Sequence, residues 1–132
     1  MARQILTRLL EQLIRDRGSD LHLRSGKQPR IRVDGDLRTL DHAPLQASLI
    51  HDLAGIILGD SPNSPHRMKG ETDLGFQFGN CRFRVNLFYE LSNPAIVLRL
   101  IPETAGTFSE LGIPRVVESL CQCTHGLVLV AG

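Results

Sequence analysis

Cys81-Arg82-Phe83-Arg84-Val85-Asn86-Leu87-Phe88 sets apolar and polar side chains in turn, the two-residue period of a strand with one face in a core and the other in water. Phe83, Val85 and Leu87 are assigned to the core, so Arg82, Arg84 and Asn86 face away. Upstream, Leu74, Phe76 and Phe78 alternate in the same way, and Gly79-Asn80 turns the chain between the two strands. Downstream, Ile96, Leu98 and Leu100 define a further strand with Arg99 on its polar side. An antiparallel hairpin centred between Leu91 and Ser92 sets Arg84 opposite Arg99. Like charges directly opposite destabilise a sheet by about 0.2–1 kcal/mol, so the pair calls for an anion between or above it, with phosphate the natural candidate. The alternative is that both arginines are solvated, or paired with Asp73 or Glu90 on the same face.

The first half uses the same grammar behind a helix. Ile5, Leu6, Leu9, Leu10, Leu13 and Ile14 recur at helical spacing, and Gly18 supplies the stop. Leu21 and Leu23 alternate with Asp20, His22 and Arg24; Ile31 and Val33 alternate with Arg30 and Arg32; Asp34-Gly35 closes a tight hairpin into a strand over 36–39. Leu45, Leu49, Leu53, Ile56 and Ile57 predict a second helix, opened near Pro44 and ended by Gly59. Ser61-Pro62-Asn63-Ser64-Pro65 reads as a loop, with Ser64-Pro65 capping a short helix that reaches Lys69. The economical packing is α+β: an antiparallel meander with helices on one face.

Composition bounds the function. The chain has 132 residues, 42% hydrophobic and 22% charged, enough for one compact domain without disulfides or metals. Fifteen basic against fourteen acidic residues exclude a uniformly cationic nucleic-acid coat, and 5% aromatics leave few stacking platforms for single strands. A nucleic-acid partner is not expected, although Arg24, Arg30 and Arg32 widen the positive face. The basic side is almost all arginine, with Lys27 and Lys69 as the two lysines, and arginine is the side chain that forks onto phosphates and carboxylates. Cys81, Cys121 and Cys123 form neither a disulfide framework nor a metal spacing. Asp20, His22 and Arg24 need no catalytic role beyond alternation on a half-exposed strand. The charged residues of the first seventeen positions exclude a signal peptide or membrane span there, and a reducing cytoplasm is the expected compartment.

The grammar changes at the end. Past Pro102, Gly106 and Gly112 punctuate a connector, Pro114 opens a helix with Val116, Val117 and Leu120, and Leu127-Val128-Leu129-Val130 form an unbroken apolar run. Such a run is the habit of a parallel strand buried on both faces. It is expected either to start a further domain, cut where a glycine-rich turn begins, or to complete the small sheet.

Taken together, Ser19-Asp20-Leu21-His22-Leu23, Pro29-Arg30-Ile31-Arg32-Val33-Asp34-Gly35-Asp36, Arg82-Phe83-Arg84-Val85-Asn86-Leu87-Phe88, Arg99-Leu100-Ile101-Pro102 and Gly126-Leu127-Val128-Leu129-Val130 resemble, in order, the amino-terminal part of type IV pilus retraction ATPases, in the secretion ATPase superfamily. The resemblance implies a PAS-like amino-terminal domain over residues 1–103, a linker with a short helix over 104–125, and over 126–132 the first strand of a truncated RecA-like α/β domain. Gly132 would be the first glycine of a Walker A loop holding ATP phosphates, with the lysine and the Mg2+-binding hydroxyl beyond it, so this chain alone is expected to be inactive.

The resemblance also implies that Arg84 and Arg99 approach the terminal phosphate of ATP as arginine fingers do, an effect worth about 10³–10⁵ in rate in general. For the intact protein it implies a homo-hexameric motor using ATP and Mg2+, cytoplasmic and peripheral to the bacterial inner membrane, with an inner-membrane platform protein as partner. The start at the first helix, without a preceding domain, favours the retraction branch. The sequence departs from that branch at Ser92-Asn93-Pro94, where retraction motors commonly carry a further arginine. Type II or type IV secretion motors, or a free-standing PAS-like sensor or interaction module, remain the alternatives.

Overall fold

A computed structural model describes residues 1–59, 70–104 and 106–131. The elements in chain order are α1 (Ala2–Arg15), β1 (Asp20–Arg24), β2 (Arg30–Val33), β3 (Asp36–Thr39), α2 (Ala47–Leu58), β4 (Thr72–Phe78), β5 (Cys81–Glu90), β6 (Asn93–Ile101) and α3 (Arg115–Leu120). The loop at 61–65 and the short helix expected to reach Lys69 lie outside the described residues. The chain divides into two units, Met1–Pro102 and Glu103–Gly132.

In the first unit all six strands form one antiparallel sheet in the order β3-β2-β1-β6-β5-β4. A meander in chain order would set β3 beside β4; instead these two are opposite edges. The chain crosses by way of α2 and returns through β5 to bring β6 against β1, pairing Leu21 with Leu98 and Leu23 with Ile96. Burial explains the closure. Leu21, Leu23, Phe83, Val85, Leu87, Ile96 and Leu98 are fully buried with Leu10 and Leu13 of α1 and Ile50 and Leu53 of α2. Each such side chain contributes about 1.5–3 kcal/mol relative to exposure, and the β1–β6 seam joins two three-stranded halves over one core. The helices cover the apolar face, and the polar face carries the arginines.

The turns follow the sequence with two differences. Asp34 (φ 51°) and Gly35 (φ 88°) turn β2 into β3, and Leu91 (φ 50°) and Ser92 (φ 65°) turn β5 into β6. Both pairs adopt positive φ at both central positions, as a two-residue hairpin that matches strand twist requires. At the end of α1 the left-handed residue is Arg17 (φ 53°) rather than Gly18. The Gly18 N–H donates to Leu13 O at 2.8 Å and the Arg17 N–H to Ile14 O at 3.1 Å, the paired bonds of a Schellman cap. Gly18 serves close approach: a Cβ there would stand 2.5 Å from Leu13 Cδ1 and 3.0 Å from Arg32 O. The second helix begins at Ala47, two residues after Leu45. Leu45 is held outside it, because its N–H donates to Lys27 O and its carbonyl accepts from the Gly26 N–H.

The second unit is described by itself. It contains α3, and none of its described residues is buried. The run 127–130, expected as a strand buried on both faces, is neither: it forms no strand, and its side chains are exposed, Val130 by 94%. A strand exists through its ladder, and among the described residues no segment pairs with this one.

Candidate functional site

The β5–β6 ribbon places the two singled-out arginines as the hairpin arithmetic requires. Arg84 pairs with Arg99 across the ribbon, with Val85 opposite Leu98 and Asn86 opposite Val97. The arginines are therefore neighbours on the polar face, and each side chain is 69% exposed. The row extends beyond them. Asp20 of β1 pairs with Arg99 on one side and Arg32 of β2 on the other, while Gly75 of β4 pairs with Arg84. Across five strands the level reads Arg32, Asp20, Arg99, Arg84, Gly75, so three guanidinium groups share one face with a single carboxylate between them.

Each of the two arginines is anchored by an aspartate. Arg84 donates through Nε to Asp73 Oδ1 at 3.2 Å and through Nη2 to Asp73 Oδ2 at 3.1 Å, a bidentate fork that fixes the plane of the guanidinium. That bond holds the Asp73 carboxyl below its usual range and raises Arg84 further. Arg99 donates through Nε to Asp20 Oδ1 at 2.8 Å. Asp20 is the one buried charged residue of the described chain. It also accepts from Ser19 Oγ at 2.7 Å and lies 3.7 Å from Arg32 Nε. Burial pushes its pKa up, but the hydrogen bonds from Ser19 and Arg99 and the Arg99 charge together bring it below the ordinary value.

With Nε committed to its aspartate, Arg99 has its terminal nitrogens available, and Arg84 has Nη1. Two guanidinium groups side by side, mostly exposed and oriented at the stem, form a donor set for a tetrahedral oxyanion. The pairing of Arg84 with Asp73 that the sequence left open is thus present, whereas Glu90 pairs with Arg24 at 3.0 Å. Asp20 carries more than alternation requires. Its signal in the sequence was an acidic residue on the polar side of a strand, but its partner lies 79 positions away across a seam that no local pattern fixes.

The remaining candidates separate from this row. Gly132 lies outside the described residues. Cys121 and Cys123 are exposed free thiols, and among the described residues no group of three or more His, Cys, Asp or Glu is placed to hold a metal ion. No helix among them is long and apolar enough to cross a membrane.

No family model matches the chain. Among curated proteins it is 38% identical over 128 residues, 96% of its length, to the type IV pilus retraction ATPase PilT of Pseudomonas aeruginosa, of which the match covers 37%. It is 32% identical over 105 residues, 79% of its length, to a twitching motility protein of Neisseria gonorrhoeae, covering 28% of that protein. The chain thus spans about a third of the length of the curated relatives it matches. Among solved structures, the pilus retraction motor PilT with bound ADP superposes with a TM-score of 0.69 at 30% identity, over 89% of this chain and 35% of that one. The α+β sheet with its helices is accordingly similar to the amino-terminal domain of that motor. In sequence and in fold the chain is a relative of the type IV pilus retraction ATPases, and through them of the secretion ATPase superfamily.

Proposed function

We propose that this chain acts as the amino-terminal, PAS-like domain of a hexameric ATP-driven motor for type IV pilus retraction or a related secretion process, and that Arg84 and Arg99 contact the phosphates of the motor's ATP. The observation that carries this reading is the direct cross-strand pairing of the two arginines, equally exposed on the helix-free face and each anchored at Nε by an aspartate. Anchored guanidinium groups lose little rotamer freedom when they meet an oxyanion, so binding retains more of the charge-assisted hydrogen bond.

The donor set fits a phosphate: it supplies fixed positive charge and N–H groups, with no acid or base needed. ATP with Mg2+ supplies the phosphoryl group when bound. Arg84 and Arg99 then neutralise the negative charge that develops on the transferred group, and Asp20 and Asp73 keep both forks aimed at it. No residue of this chain is assigned to Mg2+. The sequence contains no complete G-x-x-x-x-G-K-[ST] loop; the apolar run 127–130 is read as leading into one, with Gly132 as its first glycine, and the chain alone is expected not to hydrolyse ATP. The connector over 104–125 would absorb the movement by which this domain closes on a motor domain and opens again. Action at the cytoplasmic side of the inner membrane, on a platform protein, belongs to the same reading.

The test is turnover in a protein that carries this sequence together with its P-loop domain. Arg84→Ala and Arg99→Ala are each expected to lower kcat by about a hundredfold or more while nucleotide binding persists. Unchanged turnover in both variants overturns the assignment.

A further inference from the structure

Beside the arginine row, the helix-free face sinks into a groove of about 800 Å³ that the proposed motor function does not use. Its floor is His22 of β1, flanked by Arg30 and Arg32 of β2. One wall is the β1–β2 loop with Lys27 and Gln28, and the other is the tip of the β5–β6 hairpin with Leu91 and Pro94. All of it lies within the first unit.

The groove is built rather than incidental. Gly26 (φ 72°) turns the β1–β2 loop, which is tied down by Gly26 N–H to Leu45 O at 2.8 Å and by Gln28 Nε2 to His42 O at 2.9 Å. The opposite wall is fixed by Arg24 Nη1 to Glu90 Oε1 at 3.0 Å and by Ser25 N–H to Pro94 O at 3.4 Å.

Charge and shape define the ligand. Arg24, Lys27, Arg30 and Arg32 line the groove against Glu90 as its one carboxylate, and Glu90 is already engaged by Arg24. Arg32 is turned toward Asp20 and Gly35 O, which leaves Arg30 and Lys27 as the cations that face the space without an ion pair among the described residues. At the floor, His22 Nε2 is enclosed and has no hydrogen-bond partner among the described residues. Leu91 and Pro94 make the hairpin wall apolar, and Leu37 adds an apolar side chain on the β3 side. The volume is that of a small-molecule site.

We propose that this groove binds a nucleotide-sized organic phosphate, with Arg30 and Lys27 on the phosphate, the His22 ring as the floor beneath it, and Leu91 and Pro94 against its base or sugar. Burial and the charges of Arg32, Arg24 and Arg30, opposed by that of Asp20, hold His22 below the usual histidine pKa.

The test is a titration of the 132-residue chain, which carries its own core, with AMP and with inorganic pyrophosphate, followed by backbone amide and imidazole NMR shifts. Expected are saturable shifts at His22, Gly26, Gln28 and Thr39, tighter binding of AMP than of pyrophosphate despite the larger negative charge of pyrophosphate, and weakening by about tenfold in Arg30→Ala. Arg8→Ala, an exposed position on α1 at the other face of the sheet, is expected to leave the titration unchanged. Absence of saturable shifts, equal affinity in Arg30→Ala, or shifts centred on Arg84 and Arg99 overturns the proposal. Displacement of AMP by a glutamate hexapeptide at comparable concentration also overturns it, because the groove would then be an acidic-peptide site.

Discussion

The seam between β1 and β6 and the ribbon of β4 and β5 hold the same kind of ion pair in different ways. At the seam, Arg99 is held by Asp20, whose side chain is 4% exposed and which also accepts from Ser19. On the ribbon, Arg84 is held by Asp73, whose side chain is 48% exposed. The guanidinium groups are equally exposed, so the difference lies in the anchors. A carboxylate in the sheet interior is positioned by packing and must keep its hydrogen bonds, whereas one in water is free to exchange them for solvent. The Asp20–Arg99 pair therefore contributes to the fold as well as to the aim of an arginine. The Asp73–Arg84 pair contributes mainly to aim.

That contrast is testable by stability. Asp20→Ala removes two charge-assisted hydrogen bonds from a buried site and is expected to cost about 2–3 kcal/mol in urea unfolding, whereas Asp73→Ala is expected to move the midpoint within experimental error. Equal effects would remove the distinction between seam and ribbon. Asp20→Asn, which keeps an acceptor of the same shape, is expected to fall between wild type and Asp20→Ala.

The pH dependence gives a smaller and independent measure. The folded pKa of Asp20 is below its unfolded value, so its stabilisation is fully present above the unfolded value near 3.8. It is lost as pH falls through the folded pKa, where the unfolded chain binds the extra proton. Thermal melts from pH 5 downward are expected to show a fall in stability that flattens in Asp20→Asn. Asp73 has the same sign, but its side chain is about half exposed and water can replace its hydrogen bonds, so Asp73→Asn is expected to leave the curve nearly as steep as in wild type. A curve that flattens as much in Asp73→Asn as in Asp20→Asn contradicts the contrast.

The sequence carried the local half of this picture. Alternation in residues 81–88 and around Arg99, with a turn at Leu91-Ser92, was enough to set Arg84 against Arg99, because a hairpin register follows from its turn. It was not enough to find Asp20. The β1–β6 seam joins segments about 75 positions apart, and the energy that selects it is the shared core of Leu21, Leu23, Ile96 and Leu98 with both helices, which no window of a few residues contains. For the same reason the meander expected from chain order was replaced by a sheet whose third and fourth strands are opposite edges. Gly18 was recognised as a helix end, but its need for close approach to Leu13 and Arg32 depends on a strand that local reading treats separately. At 127–130 the apolar run was plain, yet a strand needs a partner, and none of the described residues provides one.

The most direct test of the central claim is a structure of the full motor containing this sequence, bound to a non-hydrolysable ATP analogue. Terminal nitrogens of both Arg84 and Arg99 are expected at about 2.7–2.9 Å from phosphate oxygens, with each Nε still on its aspartate. Arginines that point away from the nucleotide, or a phosphate met by neither of them, would contradict it.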